Sequence, residues 1–108
     1  VVLLSLPGLF DPIAESLGVQ SDGSIIVAGS GDAAAGPQAF VLRLTPGGAL
    51  DGTFGTAGLV TLASPDPNAT DFSFRTLAIL ADDAIVAAGG GGGGDVVVAK
   101  FSADGSPD

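Results

Sequence analysis

The sequence predicts an all-β protein built from two similar units of four short antiparallel strands. Three observations carry that expectation. Apolar residues either alternate with polar or small ones or run unbroken over a short stretch, and no window of a dozen residues holds a helical period. Turn chemistry interrupts the chain at short intervals, in "SDGS", "GDAAAGP", "TPGG", "ADD", "GGGGGG" and "SADGS". The chain also repeats itself. "SIIVAG" at 24–29 returns as "AIVAAG" at 84–89, an offset of 60, and Leu17 and Val19 return as Leu77 and Ile79. "RLTPGGALD" at 43–51 returns as "KFSADGSPD" at 100–108, an offset of 57, the difference lying in the loop where "SGDAAAGPQA" shortens to a run of glycines. Copies that agree in apolar stretches and differ in loops are copies of one structural unit. The units are 1–58 and 59–108, and the second stops before a copy of "TFGTAG".

Taken in order, "VVLLSL" and "LVTLA" open the two copies as strands. The first is too short to span a bilayer, is broken by Pro7 and lacks a basic leader, so it reads as a strand and not as a signal segment. "AESLGVQ" and "FRTLAIL" follow at period two, with Leu17 and Val19, then Leu77 and Ile79, on one face. "SIIVAG" and "AIVAAG" are apolar throughout, as a strand covered on both faces is. "QAFVLRL" puts Phe40, Leu42 and Leu44 opposite Ala39, Val41 and Arg43, and "DVVVAKF" repeats the pattern with Val97, Ala99 and Phe101 opposite Val96, Val98 and Lys100.

A four-stranded unit that is apolar on both faces needs a neighbour on each side, which describes a propeller blade. The expected architecture is therefore two four-stranded antiparallel blades of a larger β-propeller, with further blades of the same chain or copies of itself as partners. A self-contained eight-stranded sandwich or barrel is the competing arrangement; it leaves the truncated second copy unexplained.

The run "SDGSIIVAGS…AFVLRLTPGGALDGTFGTAG" resembles the delta-60 repeat of bacterial proteins, a unit of propeller character. Asp22, Gly23, Ala28, Gly29, Arg43, Leu44, Pro46, Gly48, Leu50, Asp51, Phe54, Gly55 and Gly58 fit its pattern in the first unit. Asp82, Ala88, Gly89, Lys100, Asp104, Gly105 and Asp108 fit it in the second. Asp83 stands where the pattern has Gly, Gly47 where it has Asp, and Pro107 where it has Leu. The resemblance implies a large bacterial protein, extracellular or at the cell surface, and brings no catalytic residues with it.

The repeated residues also have physical readings of their own. Gly29 and Gly89 end strands, where the backbone takes a positive φ or approaches a neighbour closely. Asp51 can accept backbone N–H bonds within its turn. Phe54, followed by Gly55, is placed to plug the seam between units.

Composition removes whole classes of function. Twelve acidic residues against three basic ones give a net charge of -9, which repels nucleic acid and anionic lipid. Without His, Cys, Tyr, Trp or Met there is no imidazole base, no nucleophile pair of the Ser-His or Cys-His kind and no ordinary zinc ligand set. The glycine run is not followed by Lys-Ser/Thr or by a helix, so it does not cradle phosphate.

Eleven of the twelve acids are Asp, most in turn-like surroundings. They could serve calcium, and Asp82 with Asp83 and Asp66 with Asp71 are the candidate ligands, although no "DxDxDG" loop is present. Glu15 and Arg75 occupy similar places in the two units and could pair between them. "NAT" at 68–70 matches a glycosylation acceptor, at a level close to chance. The expected function is a non-catalytic structural or binding module with a protein or glycan ligand and no cofactor. A calcium-dependent adhesion domain and a fragment of a carbohydrate-active propeller enzyme are the alternatives.

Overall fold

A computed structural model describes residues 3–6, 8–64, 68, 71–91 and 96–107. Asp66 and Asp108, half of the glycine run and most of "NAT" lie outside them. Among the described residues, seven strands form two antiparallel sheets and there is no helix. β1 (Phe10–Val19), β2 (Ile25–Ala33), β3 (Gly36–Leu44) and β4 (Leu59–Ala63) make the first sheet in that order. β5 (Phe72–Ile79), β6 (Ile85–Gly91) and β7 (Val96–Phe101) make the second. Within each sheet every strand pairs with its neighbour in sequence; short turns join β1 to β2, β2 to β3 and β5 to β6, and a longer loop, 45–58, joins β3 to β4.

Two strand expectations are corrected. Leu59–Ala63 does not lead the second sheet. It completes the first by pairing with β3, in the register Gln38↔Ala63 to Leu42↔Leu59. The loop after β3 turns the chain back on itself through positive φ at Gly55, Ala57 and Gly58. The Gly58 carbonyl then accepts from the Arg43 N–H at 3.2 Å, which fixes the direction of β4. The repeated text therefore divides at 58/59, while the sheets divide after Ala63. Leu3–Leu6 forms no strand, because β4 already holds the outer edge of β3. Instead Leu6 is buried against Phe40, Leu42 and Leu44 on the outside of the first sheet.

The same bulge recurs in both sheets. The β1–β2 register slips between Ala14 and Ser16, and the β5–β6 register slips between Phe74 and Thr76. At each slip the partner strand presents a glycine. A Cβ on Gly29 would lie 1.9 Å from the Ile13 carbonyl oxygen, and one on Gly89 would lie 1.8 Å from that of Ser73. Of the two sequence-level reasons for these glycines, close backbone approach is the operative one; neither has a positive φ.

The sheets stack face to face. Ile26, Ala28, Ala39 and Val41 of the first meet Phe72, Phe74, Ile85, Ala87 and Phe101 of the second, and Phe54 is fully buried in the same cluster. The Phe74 ring lies 6.2 Å from Phe72 and 6.4 Å, edge-on, from Phe101, distances at which aromatic pairs attract beyond their burial. A self-contained sandwich would hide its apolar faces in one core. Here the outward faces still carry Leu17, Val19, Val96 and Val98 in the open.

Candidate functional site

The polar residues that matter gather at one end of the seam between the sheets. Arg43 is at their centre. Its Nε donates to Asp51 Oδ2 at 3.0 Å, its Nη2 to Thr53 Oγ1 at 3.0 Å, and its Nη1 to the Ala103 carbonyl at 2.9 Å and Gln20 Oε1 at 3.4 Å. The guanidinium also lies 5.1 Å from the centre of the Phe54 ring, within cation–π range. Gln20, itself buried, donates through Nε2 to the carbonyls of Asp83 at 3.0 Å and Ala103 at 3.1 Å. Two side chains of the first unit, Arg43 and Gln20, thus hold the turns of the second. Among the described residues, no buried side-chain nitrogen or oxygen lacks a partner.

The aspartates follow from turn chemistry. Asp22, Asp82 and Asp104 each accept the backbone N–H two residues on, from Ser24 at 2.8 Å, Ala84 at 3.1 Å and Ser106 at 3.0 Å. Asp51 accepts both the N–H and the hydroxyl of Thr53. Where Gly47 replaces the repeat's Asp, Thr45 Oγ1 accepts from the Ala49 N–H at 3.2 Å and takes over the role. Three carboxyls are held below the ordinary carboxylate range: Asp22 by the N–H and hydroxyl of Ser24, Asp51 by the hydroxyl and N–H of Thr53, and Asp104 by the N–H and hydroxyl of Ser106.

Asp83 explains its own departure from the repeat. It occupies the turn position that Gly23 fills in the first unit, and both have positive φ, 66° and 88°. An Asp is kept in that left-handed conformation while its two carboxylate oxygens accept from the N–H and hydroxyl of Ser21 across the seam, the former at 2.8 Å. The paired calcium candidates Asp82 and Asp83 therefore spend their carboxylates in different directions, one within its turn and one across the seam. Asp71 precedes β5, and its carbonyl lies against Gly91. Among the described residues, no group of three or more acidic side chains is arranged to hold a metal ion. Glu15 and Arg75 are both exposed and do not pair; the seam's ion pair is Arg43–Asp51 at 3.0 Å.

Phe54 reaches the second sheet from the β3–β4 loop, and a Cβ on Gly105 would lie 3.0 Å from its ring. The Gly55 N–H beside it donates to the Asp104 carbonyl at 2.9 Å. Next to this contact a cleft of about 420 Å³ opens between the sheets, lined by Thr53, Thr56, Thr61, Asp104 and Ser106. Gln20 and Ser21 were not singled out by sequence. The available signal was a difference between the copies, since the second unit has Leu80 and Ala81 at those places.

Repeated up-and-down sheets stacked through one seam define a β-propeller type of repeat. Residues 20–54, from Gln20 through β2 and β3 to Phe54, match the model of a domain of unknown function, DUF5122, described as a β-propeller. That match supports a β-propeller repeat family. No curated protein and no solved structure matches the chain. Among the described residues, no helix is long and apolar enough to cross a membrane.

Proposed function

We propose that this chain is a non-catalytic structural or binding segment of a β-propeller of the delta-60 kind, made by a bacterium and working outside the cell or on its surface. One observation carries the reading. The groups that could do chemistry at the seam are already committed: Arg43 to Asp51, Thr53 and Ala103, and the turn carboxylates to their own turns or, for Asp83, to Ser21. Such a network fixes the position of one sheet on the next and leaves no base or nucleophile poised. The partners are further blades of the same chain or copies of it. A protein or glycan ligand would be met at the loops, where the hydroxyl-lined cleft at the seam offers hydrogen bonds. The charge of -9 disfavours nucleic acid and anionic lipid at the same surface.

The test is a panel of polysaccharides incubated with the chain and with the protein that carries it, read by the release of reducing ends. No turnover is expected. Turnover that disappears when Asp51 or Asp104 is changed to Asn, in a variant that still folds, overturns the non-catalytic reading. Fractionation of the source cells tests the location, and recovery confined to the cytoplasm overturns that part.

A further inference from the structure

The repeat and the stacking together give each outward face an identity. The sheets stack in the same sense, so the side of the first sheet turned into the seam is the repeat equivalent of the side of the second turned outward. Gly18, Ile26, Ala28, Ala39 and Val41 line the seam; their equivalents Ala78, Val86, Ala88, Val96 and Val98 form the outer face of the second sheet. The converse also holds. Leu77, Ile79, Ala87 and Ala99 pack into the seam, and their equivalents Leu17, Val19, Val27 and Leu42 lie on the outer face of the first sheet. The two outward faces are thus a second set of the two halves that already fit each other inside the chain. Both are open to solvent over part of their area: Leu17 is 67% exposed, Val19 56%, Val96 80% and Val98 63%, whereas Leu42 is buried with Leu6 and Phe40. Apolar residues in contiguous rows at that exposure mark an interaction surface.

We infer that these faces form one head-to-tail interface between copies of this chain, with the second sheet of one copy on the first sheet of the next. The inference rests on the reading of the chain as stacked propeller blades, and it adds the surface and its occupant.

The fit extends to side-chain volume. Gly18 sits beneath Leu77 and Ile79, where an added Cβ would lie 2.7 Å and 2.8 Å from their carbons. Its equivalent, Ala78, carries that extra methyl. The residue it would meet in place of Ile79 is Val19, one carbon shorter, while Leu17 matches Leu77. Pro12 and Ala14 stand in the first sheet where the second has Phe72 and Phe74, and Leu4 and Leu6 come in beside them. The Phe40–Leu44 end of that face is thereby buried within the copy, which leaves the Leu17–Val19 end for the neighbour.

The polar latch is not duplicated. Leu80 and Ala81 stand where the internal seam has Gln20 and Ser21, and Gly23 stands where it has Asp83. The interface between copies is therefore mainly apolar and weaker than the internal one. Because its halves differ, it adds copies in one direction, closing a ring or extending a filament.

Sedimentation equilibrium of the intact chain across roughly 5 to 500 µM, the range in which a weak interface titrates, is the test. The mass should rise with concentration. Val98→Asp spoils the outer face of the second sheet and Leu17→Asp that of the first; each should weaken self-association by about tenfold or more, since a carboxylate is placed in an apolar contact. Mixed in equal amounts, the two variants should form a dimer and nothing larger, because the mixture contains one intact pair of faces. Far-UV circular dichroism checks folding, with Val96→Asp and Val19→Asp as replacements should either variant not fold. A wild-type chain that stays monomeric throughout overturns the inference. So does a mixture that remains monomeric, since its one intact pair of unlike faces would then not bind, and so does either variant dimerising by itself, which would mean that like faces pair. Neither result touches the non-catalytic reading, and polysaccharide turnover would end that reading without changing the sedimentation behaviour.

Discussion

Changing Gly29 to Ala, and separately Gly89 to Ala, tests whether the repeated bulge is what the repeated glycine serves. Neither glycine has a positive φ, so backbone conformation alone would welcome alanine, typically by about 0.4–1 kcal/mol. The bulge reverses the sign. The new methyl would sit 1.9 Å from the Ile13 carbonyl oxygen in one variant and 1.8 Å from that of Ser73 in the other, with further backbone atoms at 2.9 Å and 2.8 Å. A carbon and a carbonyl oxygen approach no closer than about 3.3 Å, so the strands must separate by more than 1 Å, to order of magnitude. The obstacle is backbone on a paired strand, so no side-chain rotation relieves it. Overpacking costs about 1–3 kcal/mol, and loss of one or two ladder hydrogen bonds adds about 0.5–1.5 kcal/mol each, so a destabilisation of about 3 kcal/mol is expected. Urea unfolding followed by far-UV circular dichroism measures it. Gly52→Ala is the control, since nothing lies within 4 Å of a Cβ there. The two bulge variants should lose similar amounts, and Gly52→Ala should stay within about 0.5 kcal/mol of the parent. A Gly29→Ala protein as stable as the parent would show that the β1–β2 register is not pinned at the bulge.

Three further predictions concern the seam. Phe54→Ala should cost about 3–5 kcal/mol in the same assay, because a fully buried ring shared by both sheets is removed, and Phe54→Leu should recover more than half of the loss. At position 83, Gly should be tolerated to within about 1 kcal/mol, because relief of the left-handed backbone offsets the lost bonds to Ser21. Ala should cost about 1–2 kcal/mol, since it keeps the strain and loses the bonds. The third is a pH dependence. Asp22, Asp51 and Asp104 have folded pKa values below the unfolded ones, so the stability they add is fully present above the ordinary value and is lost as pH falls through the folded values. The urea midpoint should therefore drop on acidification below about pH 4, and Asp51→Asn with Asp104→Asn should flatten that drop.

Strand identity was legible wherever one chemical reason sufficed. β2 and β6 are apolar on both sides and each lies between two partner strands; β2 packs on both faces, while Val86 and Ala88 of β6 face outward and are half-buried, and the residues of both strands read the same in any arrangement of the sheets. The aspartate turns were legible for a similar reason, since an Asx turn is closed by atoms two residues apart. What the sequence did not disclose was pairing. "LVTLA" can lie beside either neighbouring sheet. The choice is made by the direction of the loop before it, which depends on positive φ at Ala57, a residue that gives no such signal, as well as at Gly55 and Gly58. Leu3–Leu6 is a similar case: its composition suits a strand, but the edge it would need is taken by β4. The latch was hidden for a different reason. Searching for a repeat rewards what the copies share, whereas Gln20 and Ser21 act through what the second copy lacks.

If the units were identical, the internal seam and the outer interface would be equivalent, and nothing would favour the pairing within the chain over pairing between chains except the tether. The differences fall on the contacts that break this equivalence. Gln20, Ser21 and Asp83 place hydrogen bonds across the internal seam, and their repeat equivalents Leu80, Ala81 and Gly23 cannot reproduce them. Buried polar groups of this kind add modest net stability when paired and a larger penalty when left unpaired. A second sheet docking in the wrong register onto the Gln20 end would strand a buried amide and the Arg43 guanidinium together. The latch therefore acts as a selector of order. The apolar rows on both faces make stacking favourable in general, and the polar end of the seam decides which sheet follows which.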